Sequence, residues 1–158
     1  MSGVDLDRYI GMYRSNVTDA ALFIVKNPAD AEDIAQDVFL KLYTYSGTFN
    51  DDEHVRAWLI RCAMNSSLNH IKSYRYKNSV PLDELPEIPD STANADSGLK
   101  DGMMSLAPKF RAALYLHYYE GYTAKETAAL LGITTAAVKW RLKRGRDKLR
   151  EFLNDERG

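Results

Sequence analysis

A single cysteine, Cys62, excludes an internal disulfide and fits a reducing, cytoplasmic setting. No apolar run approaches the roughly 20 residues that a membrane span needs. The opening MSGVDLDRY also lacks the basic-then-apolar order of an export signal, so membrane insertion is not expected. His54, His70 and His117 show neither Glu-x-x-His nor His-x-x-x-His spacing, and no glycine-rich phosphate loop is present. No catalytic residue, metal site or cofactor is therefore expected. Proline is scarce, and three of the five prolines fall between residues 78 and 98.

The net charge of −1 conceals an uneven distribution. Residues 1–77 hold 9 basic and 10 acidic side chains, residues 78–101 hold 1 and 6, and residues 102–158 hold 11 and 6. An acidic strip thus divides a near-neutral half from a basic half carrying a net +5. With 45% hydrophobic residues, each half can build a packed core.

Hydrophobic spacing predicts helices throughout and no alternating strands. Tyr9, Ile10, Tyr13, Val17, Ala20, Ala21 and Ile24 form one stripe. Asn27-Pro28 then caps and opens a second helix, with Ala31, Ile34, Val38, Leu42 and Tyr45 on its inner face and Gly47 closing it. A polar loop from Thr48 to His54 leads to a third helix bearing Val55, Trp58, Leu59, Cys62, Leu68 and Ile71. Trp58 and Cys62 read as core residues, and the helix ends in the basic and aromatic run Lys72 to Lys77. Residues 78–98, with five acids and no helical period, read as a flexible linker. Helical pattern resumes near Leu99. Pro108 opens a strong helix with Ala112, Ala113, Leu116 and Tyr119, ended by Gly121.

Thr123-Ala-Lys-Glu126 is a capping box, and Ala128, Leu130 and Leu131 follow before a break at Gly132. Thr134 or Thr135 then caps another helix. A small residue, Gly four later and Val138 six after that is the spacing of a helix-turn-helix, at about 124–143. In the second helix Val138, Leu142, Gly145, Leu149 and Leu153 share a seam flanked by seven basic residues against one acid, Asp147. After such a turn, that charge suits phosphate and base-edge contact. Trp140 stands opposite the seam, and a partner for it is expected in DNA, another protein or a neighbouring loop.

Three blocks carry a resemblance. Asp30-Ala-Glu-Asp-Ile-Ala-Gln-Asp-Val-Phe-Leu-Lys-Leu-Tyr43, Val55-Arg-Ala-Trp-Leu-Ile-Arg-Cys-Ala-Met-Asn65 and Leu106 through Leu153 together resemble the extracytoplasmic-function group of sigma-70 factors, in that family's order. The resemblance implies an all-α protein of two small helical domains: region 2 at 1–77 and region 4 at 99–158, joined by the acidic linker 78–98. It implies a transcription initiation factor that binds core RNA polymerase, directs it to promoter DNA and promotes melting, and that is often held by an anti-sigma protein.

Residue by residue, Asp30, Asp33, Gln36, Asp37, Phe39 and Leu40 match the block that grips the polymerase. Phe49, Asn50, His54, Trp58, Asn65, Lys72 and Arg75 match the part that melts and reads the −10 element. Thr134, Thr135, Lys139, Trp140, Lys143 and Arg144 match the part that reads the −35 element. Two positions depart from the pattern: Trp140 replaces a small polar residue, and Gly145 replaces alanine. In this resemblance the linker's five acids imitate the charge of a nucleic-acid strand and suit a positively charged polymerase channel; the other readings are that they shield the basic half or solubilise a tether. The alternative is a helix-turn-helix regulator whose N-terminal half is a dimerisation or effector domain.

Overall fold

The computed structural model describes residues 3–78 and 97–157, and every regular element among them is helical. Two units divide at Ser73/Tyr74. The acidic linker expected at 78–98 lies outside the described residues, except that Asn78 is helical at one end and Ser97-Gly98 at the other.

The N-terminal unit holds α1 (Gly3–Val25), α2 (Pro28–Thr44) and α3 (Asp52–Asn78). In α1 the expected stripe is buried at Tyr13, Val17, Ala20, Ala21 and Ile24, while Tyr9 and Ile10 are half-buried. Lys26 takes φ 61°, a left-handed turn that ends α1. Asn27 then caps α2, its side chain accepting from the Asp30 N–H, with Pro28 in the first turn.

α2 buries Ala31, Ile34, Val38 and Leu42, as its spacing requires. It stops at Thr44, however, three residues before Gly47, because Tyr45 turns extended (φ −68°, ψ 129°). Tyr45 therefore leaves the inner face and is 41% exposed. α3 begins at Asp52, so His54 belongs to its first turn and not to the preceding loop. Cross-links fix these starts. Arg8 pairs with Asp52 at 2.6 Å, Tyr13 donates to the Asp52 carbonyl at 3.1 Å, and His70 meets Asp30 at 3.1 Å. Burial raises the Tyr13 hydroxyl above its usual range, with the Asp52 charge adding to the effect.

The C-terminal unit holds α4 (Ser97–Ser105), α5 (Pro108–Leu114), a wide π-type segment (Tyr115–Tyr119), α6 (Ala124–Leu131) and α7 (Thr135–Arg157). The stripe expected on one helix from Pro108 is split by that change of pitch. Ala112, Ala113 and Leu116 are buried, whereas Tyr119 is 60% exposed and stacks on Tyr115. Gly121, at φ +79°, ends the run as expected.

α7 is the spine against which α4, α5 and α6 pack. Close approach explains the glycine that departs from the family pattern. A Cβ on Gly145 would lie 3.0 Å from Leu114 Cδ1 and 3.5 Å from Phe110 Cβ. Gly102 on α4 is similarly placed against Leu149 and Phe152. Arg111 is buried and its guanidinium donates to the Leu106 carbonyl; desolvation lowers its pKa to about 10, so it stays protonated at neutral pH.

Candidate nucleic-acid and polymerase interfaces

Three surfaces follow from these elements. On α2, Asp33, Gln36, Asp37 and Leu40 are all exposed and recur at i, i+3, i+4 and i+7, so they form one strip. Leu40, 62% exposed, and Tyr43, 48%, add apolar area to an acidic face. Beside the strip runs a groove between α1 and α2, lined by Leu6, Ile10 and Arg14 on one wall and Gln36, Phe39 and Leu40 on the other. Phe39, expected on the outer face with Leu40, is instead buried and lines this groove, because it sits on the edge of the α2 core stripe. Asp30 is half-buried, and its carboxylate lies 3.1 Å from His70 Nε2.

On α3 the helical repeat of 100° per residue gathers His54, Trp58, Arg61, Asn65, Asn69 and Lys72 within an arc of about 80°. All are exposed except the half-buried Trp58. The strip runs about 27 Å along the helix, on the side away from the buried Ile60, Ala63, Ser67 and Ile71. Arg61 and Asn69 were not singled out from the sequence, although their spacing from Asn65 places them on this strip. Arg75 lies in the last turns of α3, and its side chain is outside the described residues.

At the strip's N-terminal end the loop is ordered by an aromatic cluster. Tyr45 packs on Phe49 (5.3 Å between centroids) and on Trp58 (5.0 Å), while Phe49 meets the edge of His54 (5.1 Å) and Trp58 (6.0 Å). The Asn50 N–H donates to His54 Nδ1 at 3.1 Å, and the His54 N–H donates to Asp51 Oδ1 at 2.8 Å. Trp58 is therefore no core residue; it is the half-buried floor of a loop platform. Cys62 is half-buried as well, its thiol pushed up by burial. The sequence signal for Tyr45 was only its aromatic character, close to Phe49 and Trp58.

The third surface is the helix-turn-helix. Thr123 accepts from the Glu126 N–H at 3.1 Å, and Glu126 accepts from the Thr123 N–H at 2.9 Å, the reciprocal box expected. Those bonds hold the Glu126 carboxyl below its ordinary range. Gly132 takes the left-handed turn at φ 68°, and the Ile133 N–H bonds back to the Ala128 carbonyl. Ala128, Val138 and Leu142 are buried where α6 meets α7. Of the two candidate caps for α7, Thr134 does the work, accepting from the Ala137 N–H at 3.0 Å; Thr135 is its half-buried first residue.

Lys139, Trp140, Lys143 and Arg144 are all exposed on α7. Trp140 is 56% exposed yet has a partner in its own unit: its ring lies 5.9 Å from Phe110, with Lys109 Nζ 5.7 Å from its centroid. The expected neighbour is thus a helix start, not a loop. Arg146 donates to the Tyr118 hydroxyl at 2.9 Å, which removes it from a purely solvated flank. Among the described residues no cluster of three His, Cys, Asp or Glu is arranged to hold a metal, and no described helix is long and apolar enough to cross a membrane.

An exposed acidic and apolar strip, a polar strip along one helix, and a cationic helix-turn-helix define a helical protein built for macromolecular contact. Comparison with known proteins gives the family. Sigma-70 region 2 matches residues 9–76, and sigma-70 region 4 matches residues 99–149. The chain is 32% identical to the RNA polymerase sigma-E factor of Streptomyces coelicolor over 154 residues, covering 95% of this chain and 86% of that one. It is 30% identical to the ECF RNA polymerase sigma factor SigM of Mycobacterium tuberculosis over 126 residues, which covers 78% of this chain but only 64% of SigM. Among solved structures it is similar to the sigma factor RpoE of Bartonella quintana, crystallised in complex with the anti-sigma factor NepR. That likeness has a TM-score of 0.72 and 19% identity, covering 95% of this chain and 97% of that one. The chain belongs to the extracytoplasmic-function subfamily of sigma-70 RNA polymerase sigma factors, which are transcription factors and not enzymes.

Proposed function

We propose that this chain binds core RNA polymerase, carries it to particular promoters and opens the DNA there, with each task assigned to one of the three surfaces. The α2 strip of Asp33, Gln36, Asp37 and Leu40 docks on the polymerase, carboxylates meeting cations while Leu40 and the Phe39 groove take apolar side chains. The α3 strip and its loop read the −10 element after melting. There Asn65 offers an amide to a base edge, the aromatic cluster of Phe49, His54 and Trp58 offers faces against which an extruded base stacks, and Lys72, with Arg75, neutralises phosphate. The exposed face of α7, with Lys139, Trp140, Lys143 and Arg144, reads the −35 element, and Thr134 and Thr135 fix the helix start at the groove.

The observation that carries this reading is the pairing of an exposed acidic and apolar strip on α2 with a separate helix-turn-helix in one chain. A regulator with a dimerisation domain accounts for the second surface and leaves the first unexplained. Promoter-specific initiation by purified core polymerase on addition of the chain tests it, since a repressor or activator cannot confer initiation on core enzyme. An inhibitory protein partner belongs to the same proposal, on the precedent of the Bartonella factor crystallised with its anti-sigma protein. A complex isolated from the chain's own cells would then fail to bind core enzyme until the partner is removed. A complex that binds core enzyme as readily as the free chain would contradict this.

A further inference from the structure

We propose that Trp140 is a specificity-determining residue that reads a thymine 5-methyl in the −35 element, with its indole pre-positioned by Phe110 and Lys109. The inference rests on the −35 role assigned to α7 above. On the helical wheel Trp140 lies opposite the seam of Val138, Leu142 and Gly145, and its ring leans on the buried Phe110 while the rest of it stays open to solvent. It is 56% exposed, an unusual state for an indole on a polar helix.

It is also not loose. The ring lies 5.9 Å from Phe110 at 43°, with the Lys109 ammonium 5.7 Å from its centroid and 5.2 Å from that of Phe110. A side chain bracketed in this way has few rotamers left to lose on binding, so its exposed surface is ready for contact.

The chemistry of that surface selects the partner. Indole has one N–H donor and a broad apolar face, and it has no pair of donors for guanine and no amide for adenine. In the major groove the apolar feature on a base edge is the thymine methyl. Lys143 and Arg144, three and four residues on and both exposed, flank the indole and supply phosphate or guanine contacts beside it. The combination fits a thymine next to positions read by cations.

The test uses the full chain with core polymerase. Promoters are first selected from duplex DNA randomised across the −35 region, and each thymine of the selected element is then replaced singly by uracil, which lacks only the methyl. One position is expected to lose roughly three- to fivefold in promoter affinity, the loss that one buried methyl accounts for. That sensitivity should vanish in Trp140→Ser and persist in weakened form in Trp140→Phe. A uniform response to uracil in the unaltered chain, a selected element without thymine, or the same uracil response in Trp140→Ser would overturn the inference while specific initiation stands. Absence of any specific initiation would remove the −35 role itself and this inference with it. The uracil series is read on unaltered protein, so a folding defect in a variant does not obscure it.

Discussion

At the scale of single residues, His54 and Gly145 show how local chemistry sets the interfaces. Nδ1 of His54 accepts the Asn50 N–H while its ring makes an edge contact with Phe49, so His54 positions the loop. His54→Ala should destabilise the N-terminal unit by about 1 kcal/mol, the worth of one net hydrogen bond, and lower promoter melting. Thermal unfolding together with permanganate reactivity at a selected promoter checks both, and normal melting would contradict the positioning role. Gly145 is held by its neighbours. Alanine would gain roughly 1 kcal/mol of helix propensity, but its Cβ would sit 3.0 Å from Leu114 Cδ1 in a buried contact. Overpacking of that kind costs about 1–3 kcal/mol, so Gly145→Ala should lower stability by about 1 kcal/mol net. A raised melting temperature would show that Leu114 yields easily.

At the scale of elements, the helices and their faces were legible because burial follows a 3.6-residue period that the apolar residues display. The α1 stripe, the α7 seam and the capping box at Thr123 are of this kind. What was not legible depends on how the chain returns on itself. Tyr45 kept the α2 period but lies past its end, and it packs instead on Phe49 and Trp58, partners that only the folded loop brings near. Phe39 lies at the edge of the α2 core stripe, where one further step on the wheel decides between a groove lining and open surface. Trp140 gave no hint of Phe110, 30 residues earlier, because aromatic character carries no address. The split of strips yields a prediction for each. Asp33→Ala with Asp37→Ala should weaken core polymerase binding in a titration and leave duplex DNA binding by the helix-turn-helix unchanged; equal polymerase affinity would remove α2 from that interface. Asn65→Ala should reduce open-complex formation more than closed-complex binding, because a base edge needs the amide only once unpaired. Equal loss at both stages would argue for a duplex contact instead.

At the scale of the whole molecule, the family's two regions fall on the two separately packed units, and the charge distribution follows the tasks proposed for them. In that proposal the carboxylates on α2 of the near-neutral N-terminal unit serve a protein contact and the amides and cations on α3 a single strand, whereas the cations of the basic C-terminal unit serve a duplex. Phosphate contacts of that kind make duplex binding fall steeply with salt, whereas the apolar part of the proposed polymerase docking, at Leu40 and the α1–α2 groove, should be less sensitive. The most direct measurement is run-off transcription from a promoter library with purified core polymerase, with and without the full chain. The account predicts initiation at a defined set of promoters only when the chain is present, abolished by combining Asp33→Ala and Asp37→Ala at limiting concentration. Initiation that is unchanged by the chain, or its simple repression, would contradict it.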